Sequence, residues 1–425
     1  MSHSRTAQLG LVLLVVAGGC EPVTPSDTAI RSDSAGVMLV EYPFLPPMEE
    51  SRIAVAAEPD LVLGEGGAFA GPAYEFFQIM GVSQLRDGTL VVANRGSSEL
   101  RFYEAEGRFL RSVGGAGEGP GEFRYLWDHW MMAGDTIVAW DWQARSLQQF
   151  SPDGAFVRSA SMITAPFAGF STASQPQAVI EDGRVAVFIE SLMTPTLAVP
   201  ERQPLLVALH RISDEGWDSV RVVPGHERIV AMDDSGLMTL PGYYLGAYPV
   251  AAGAGVTMAV ADGAHFRIEI FDPEGRLVSI LSASVPEVPV TADVIEGQIE
   301  HLMAYPPAWA EGERAAEYED RIQESVRARH APFLPVIRDV FVDADERIWV
   351  ERYDVPARGP SRWEVFERDG TWVGRVEMPE GFARGSSVQL APGFSVASGR
   401  LAGVWPDPGT GVETVRVYRV IEPDS

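Results

Sequence analysis

Short apolar and alternating stretches run along most of this chain, separated by clusters of Gly, Asp, Asn and Pro. TLVVAN, SELRFY, TIVAWD, SLQQF, RIEIF and RWEVF are examples. A two-residue period bounded by turn residues predicts half-buried β-strands. The period changes only between Val285 and Val336. There Val294, Ile295, Ile299 and Leu302, and then Ala315, Tyr318, Ile322 and Val326, recur every three to four residues. That spacing predicts two amphipathic helices, the first capped by Thr291 and the second covering about Glu311 to Arg329, with Pro306-Pro307 between them.

The strands repeat as a unit. Leu100, Tyr103, Gly107, Phe109 and Arg111 return as Leu147, Phe150, Gly154, Phe156 and Arg158, each 47 residues later. An aromatic or aliphatic residue stands four positions before a turn glycine at Tyr103/Gly107, Phe150/Gly154, Ile212/Gly216, Phe271/Gly275 and Phe366/Gly370. All-strand repeats of this length are the mark of propeller blades. Five units are visible, and a sixth begins at Ser386 but ends before its outermost strand. Leu61-Val62-Leu63-Gly64 stands before a glycine-proline passage like the one that follows Val113-Gly114, so this N-terminal strand is expected to complete the last blade and close the ring. Ala35 to Tyr42 is expected to add a strand nearby. The sequence therefore predicts an all-β, six-bladed propeller over residues 35–425, with a helical insertion at 286–334 between blades 4 and 5.

The first residues differ in kind. Arg5, an apolar run from Leu9 to Val16, and Ala17-Gly18-Gly19-Cys20 resemble a bacterial lipoprotein leader, which makes residues 1–20 a signal peptide and Cys20 the lipidated residue. Residues 21–34 lack periodicity and read as a flexible tether. Cys20 is the only cysteine, so no intramolecular disulfide can form. The expected address is the bacterial cell envelope, reached by export and held by the lipid anchor alone.

Charge and composition narrow the chemistry. A net charge of -26 disfavours electrostatic binding to nucleic acid or to an anionic membrane surface. The chain has no lysine, which excludes Schiff-base chemistry and a Walker lysine, and Asn94 is its one asparagine. GGAGEGPGEF at 114–123 lacks phosphate-loop spacing and reads as a connection between blades. Asp343-Ala344-Asp345 starts like an EF-hand loop, but Arg347 and Ile348 stand where that loop needs a ligand and a glycine. No HExxH or GxSxG motif is present, and no cofactor or metal site is expected.

RSDSAGV after the tether, SSELRFY followed after three intervening residues by Gly107, and GEGPGEF together resemble the six-bladed propellers related to NHL repeats, in particular a group of bacterial lipoproteins. The resemblance implies a fold and an exported address, without an activity.

With strands lettered a to d from the axis outward, the b–c loops and d–a connections share one face of such a disc, where ligands are expected. The loops are Asn94–Ser98, Asp141–Arg145, Asp262–His265 and Asp354–Ser361. They nominate Asn94, Arg95, Asp141, Arg145, Asp262, His265 and Asp354 as binding-face residues. The helical insertion joins a d strand to an a strand and should lie on the same face, either covering apolar surface or acting as a lid. Trp127, Trp130, Trp140 and Trp142 fall within one blade and are expected to pack between blades, with a stacking platform as the other reading. The expected function is a noncatalytic binding or scaffolding module for a protein, peptide or glycan. The alternative is a metal-dependent hydrolase or lactonase with carboxylates at the channel mouth.

Overall fold

The computed structural model describes residues 29–162, 166–191, 201–213, 216–228, 231–232, 238–239, 245–304, 315–353, 360–382, 393–407 and 410–422. They form a six-bladed β-propeller, as the repeat predicted. Blade 1 is typical. Ile79–Gln84, Leu90–Asn94, Glu99–Tyr103 and Phe109–Gly114 pair antiparallel in chain order from a to d. Blades 2 to 5 start with the a strands Leu126–Met132, Phe170–Ile180, Val250–Ala254 and Ile337–Val342.

Blade 6 is composite. Ser395–Ala397, Arg400–Pro406 and Glu413–Ile421 come from the C-terminus, and Leu61–Leu63 supplies the outer strand, pairing Leu63 with Val415 and Leu61 with Val417. The ring is thus closed by the N-terminal strand, which hides the edge that the last blade would otherwise expose.

The core is six apolar seams, one between each pair of neighbouring blades. Leu63, Val82, Tyr103 and Val415 fill the seam between blades 6 and 1, and Val91, Leu100, Phe123 and Ile137 fill the next. Both faces of the b strands are covered by neighbouring blades, which explains why VVAN and TIVAW read as continuous apolar runs, whereas the d strands Phe109–Gly114 and Phe156–Ser161 alternate with exposed residues.

The repeated turn glycines have a second duty at these seams. Gly107, Gly154, Gly275 and Gly370 have φ between 78° and 94°, the left-handed region that favours glycine. Each also tucks against the outer layer of the preceding blade. A Cβ on Gly107 would lie 2.7 Å from Leu61 Cδ1 and 2.8 Å from Leu63 Cδ2, and one on Gly154 would lie 2.8 Å from Val113 Cγ1. The aromatic four residues earlier marks a register shift in the c–d hairpin, at Tyr103, Phe150, Phe271 and Phe366. The bulge adds twist where the hairpin meets its neighbour.

One arrangement departs from expectation. Ile30–Ser34 and Val37–Tyr42 form a hairpin through Ala35 and Gly36, both at positive φ. Ile30–Ser34 thus lies as a strand inside the stretch read as tether. The hairpin does not sit beside the closing strand. Val37–Tyr42 pairs in parallel with Leu277–Ala283 and widens blade 4 to six strands. From there it fastens onto blade 5. Tyr42 Oη donates to the Gly370 carbonyl at 2.9 Å and accepts from Trp372 N at 2.8 Å, and Arg31 donates to the Asp369 carbonyl and to Thr371 Oγ1, both at 2.7 Å.

The insertion holds helices α1, Ala292–Ala304, and α2, Ala315–Ala328. Their apolar sides pack on each other through Ile299, Tyr318, Ile322 and Val326. Ala315, expected on that face, is exposed instead. Arg327 and Glu296 join the helices by an ion pair at 3.0 Å. The insertion leaves the d strand of blade 4 and returns to the a strand of blade 5, which puts its two stems on the b–c face, where Val336 N donates to the Gly263 carbonyl at 2.9 Å.

Candidate functional site

Three of the nominated residues stand at the end of a b strand, Asn94 and Asp141 as its last residue and Asp262 just after it, and their side chains hold the backbone. Asn94 Oδ1 accepts from Phe77 N at 2.9 Å, and its amide donates to Ser97 Oγ. Asp141 is buried, and its two oxygens accept from the backbone N–H groups of Arg124, Tyr125, Gln143 and Ala144 at 2.7 to 3.2 Å. Asp262 Oδ1 accepts from Ala264 N and His265 N, while Oδ2 meets His265 Nδ1 at 3.3 Å and Arg202 at 3.6 Å. A short acceptor at this position satisfies loop N–H groups in blades 2 and 4 and, in blades 1 and 2, ties down the entry to the a strand. Arg145 has φ 51° at the end of its loop, with its carbonyl accepting from Met162 N. Asp354 and Cys20 lie outside the described residues.

Arg95 has a different setting. Its guanidinium lies 5.1 Å from the Tyr125 ring centre and 5.7 Å from that of Trp127, while Nε donates to Gln78 Oε1 at 3.0 Å. Tyr125 stacks on Trp127 at 5.8 Å, and Trp142 stands 5.8 Å from Tyr125 and 6.1 Å from Trp127. Trp142 is 50% exposed and Phe77, on the same face, 65%. The four tryptophans of blade 2 therefore divide. Trp140 is buried between blades 2 and 3, Trp127 and Trp130 pack partly into the seams, and Trp142 faces solvent. The aromatic shelf with its arginine lies where the d–a connection of blade 1 meets the b–c loop of blade 2.

The glycine-rich passage runs beside this shelf as a closed turn. Gly119 N donates to Glu122 Oε2 at 2.9 Å, Gly117 N to the Phe123 carbonyl and Phe123 N to the Gly115 carbonyl. Gly115 N donates outward to the Ser98 carbonyl, and Phe123 plugs the seam below.

The opposite face leads into the axis. A cavity of about 560 Å³ reaches from mid-strand to the a–b turns. Its walls come from a strands of all six blades, including Gly81, Gln177, Ala252, Val340 and Val396, with Asp128 and His129 among the lining residues. Both are 5% exposed. Asp128 Oδ1 accepts from His129 N at 2.7 Å, and neither ring nitrogen of His129 has a hydrogen-bond partner. Burial pushes the Asp128 carboxyl up to about 8, partly offset by the His129 N–H, and pulls the imidazole down to about 4, partly offset by the Val91 backbone. Inspection of the b–c loops passes over this pair, because LWDHW reads as one more apolar strand with two polar residues in it.

A further polar group lies at the seam of blades 4 and 5. Arg338 Nε approaches Glu351 Oε2 at 3.7 Å, and Tyr248 Oη donates to the Arg338 carbonyl at 2.8 Å. Burial, reinforced by Glu351, raises Asp339 to about 8. The Asp343 carboxylate of the EF-hand-like triplet turns inward, accepting from Asp345 N, Arg347 N and Trp349 Nε1 at 2.8 to 2.9 Å. Among the described residues, no three or more His, Cys, Asp or Glu side chains converge at metal-binding distance, and no helix is long and apolar enough to cross a membrane.

No protein-family model matches the chain, and neither does any curated protein. Solved structures do. A protein of Bacteroides fragilis whose export has been proposed is similar at 12% identity over 89% of this chain and 99% of its own, with a TM-score of 0.45. A member of the DUF4221 family from Bacteroides vulgatus is similar at 8% identity over 87% and 99%, with a TM-score of 0.46. The calcium-binding protein regucalcin from Agrobacterium tumefaciens is similar at 11% identity over 84% and 96%, with a TM-score of 0.34.

Proposed function

We propose that this chain is an exported, lipid-anchored propeller that acts as a noncatalytic binding module for a protein, peptide or glycan. In this reading it is a lipoprotein relative of the NHL-repeat propellers. The observation that carries the binding role is the shelf of Tyr125, Trp127 and Trp142 with Arg95 over it. Aromatic rings beside a guanidinium, half exposed at the junction of two blades, are the composition of binding hot spots and of sugar-stacking surfaces. The Cys20 leader supports export, and the polar stretch after it supplies reach from the membrane.

The experiment is a screen of peptidoglycan fragments, envelope glycans and periplasmic peptides against wild-type protein, Trp142→Ala and Arg95→Ala. Both variants change solvent-facing groups and should fold normally. Loss of about thirtyfold or more in affinity in each is expected, since hot-spot truncations cost about 2 kcal/mol or more. Unaltered binding in both would move the site off the shelf. Labelling with radioactive palmitate, abolished in Cys20→Ser, tests the anchor. The alternative, a metal-dependent hydrolase or lactonase, draws on the carboxylates at the mouth of the axial cavity, among them Glu181, Asp345 and Glu346. One tightly bound divalent ion per purified chain would favour it over the binding module.

A further inference from the structure

The axial cavity is a second place for a ligand, on the face away from the shelf, and its chemistry is specific. Five carboxylic side chains line it, those of Asp128, Asp135, Glu181, Asp345 and Glu346, against one arginine, Arg86. That arginine is already turned to Asp135 at 3.9 Å, and Glu346 accepts from Thr257 Oγ1 at 2.6 Å. Asp128 has no such partner. Its Oδ1 holds the adjacent backbone N–H, nothing among the described residues donates to Oδ2, and His129 beside it keeps two unpartnered ring nitrogens. Buried polar groups are almost always paired, so a carboxyl with one oxygen left over and an imidazole with neither nitrogen bonded, deep in an open cavity, mark where a ligand's polar end fits. The remaining wall mixes uncharged polar residues, Ser83, Gln84, Gln177 and Ser395 among them, with an apolar part that includes Met131, Phe341, Phe394 and Val396.

We propose that the axial cavity binds a small organic cation, whose ammonium or amidinium group pairs with Asp128 and whose apolar body lies against Phe341, Phe394 and Val396. The fold has taken a carboxyl out of water with no cation beside it among the described residues, and has placed further acids around the opening. A ligand bringing that cation satisfies the buried group and is favoured by the field at the mouth. An anion meets acids at both ends. The proposal is independent of ligand binding at the shelf.

The test is calorimetric titration of the purified full chain with three probes of one shape, phenethylamine, 2-phenylethanol and phenylacetate. The amine should bind at least about tenfold more tightly than the alcohol, the equivalent of one hydrogen bond to a charged group, and phenylacetate should bind weakest. Asp128→Asn should bring amine and alcohol to within about threefold, on the same scale. Ala254→Arg, at a half-exposed wall position, should weaken the amine and strengthen phenylacetate, and it decides the matter should Asp128→Asn fail to fold by circular dichroism. Equal affinity for all three probes, preference for phenylacetate, no binding of any probe at millimolar concentration, or displacement of the amine by calcium alone would each overturn the proposal.

Discussion

Replacing Gly107 by alanine separates the two duties assigned to the turn glycines. At φ 94° any residue with a Cβ is strained, at a cost of about 1–2 kcal/mol. The new methyl would also come within 2.7 Å of Leu61 and 2.8 Å of Leu63, the strand that closes the ring. Overpacking of this kind adds about 1–3 kcal/mol, so the full effect should be about 2–5 kcal/mol. The control is Gly134→Ala. Gly134 has φ 75° in an a–b turn and nothing within 4 Å of its Cβ position, so it carries the backbone strain alone. Urea unfolding of both variants, followed by tryptophan fluorescence, gives the difference between them, and the contact with the closing strand predicts that Gly107→Ala loses at least about 1 kcal/mol more. If the two variants lose the same amount, the turn does not press on the closing strand and the second duty is wrong. Limited proteolysis adds a check, since weakening that strand should expose 61–63 to cleavage before the blades themselves.

Glu364 is fully buried and accepts from Trp372 Nε1 at 2.9 Å and Arg375 Nε at 2.7 Å. Glu364→Ala should therefore cost about 3–5 kcal/mol in the same unfolding assay, because it strands a guanidinium inside blade 5, and Glu364→Gln should cost less. Stability against pH should report the axial pair. Asp128, raised from 3.8 to about 8, stabilises the folded chain at low pH and loses that contribution as pH rises between those values, whereas His129, lowered from 6.5 to about 4, contributes above 6.5 and loses it as pH falls toward 4. The two slopes oppose each other from pH 4 to 6.5. Between 6.5 and 8 Asp128 acts alone on this pair, for a loss of about 2 kcal/mol at 1.36 kcal/mol per unit. The wild type should fall relative to Asp128→Asn across that window, and parallel curves would refute the assignment.

Much of this molecule is legible without coordinates because its information is local and repeated. Strand alternation, turn glycines and a 47-residue offset are set by backbone geometry within a few residues of each other, and repetition multiplies a weak signal. The closing strand Leu61–Leu63 could be read as well, since an unfinished blade at one end and an orphan strand at the other leave one solution. The helical insertion was legible from its change of period.

Contacts between distant segments were decided by the tertiary structure. Nothing in AGVMLVEY says that it pairs in parallel with Leu277–Ala283 and pins blade 4 to blade 5, because that choice depends on which sheet edge is free. Asn94, Asp141 and Asp262 carry the residue types of a binding loop, yet their side chains take up backbone N–H groups, and for Asn94 and Asp141 this use is visible only once the entry to the blade's a strand is folded beside them. Arg95 drew notice as a loop charge and proved to lie over rings from another blade. Asp128 and His129 are ordinary letters in an apolar strand. Only closure of the ring brings six a strands together around them and buries, at the axis, a carboxyl with one oxygen left over and an imidazole whose ring nitrogens have no hydrogen-bond partner among the described residues.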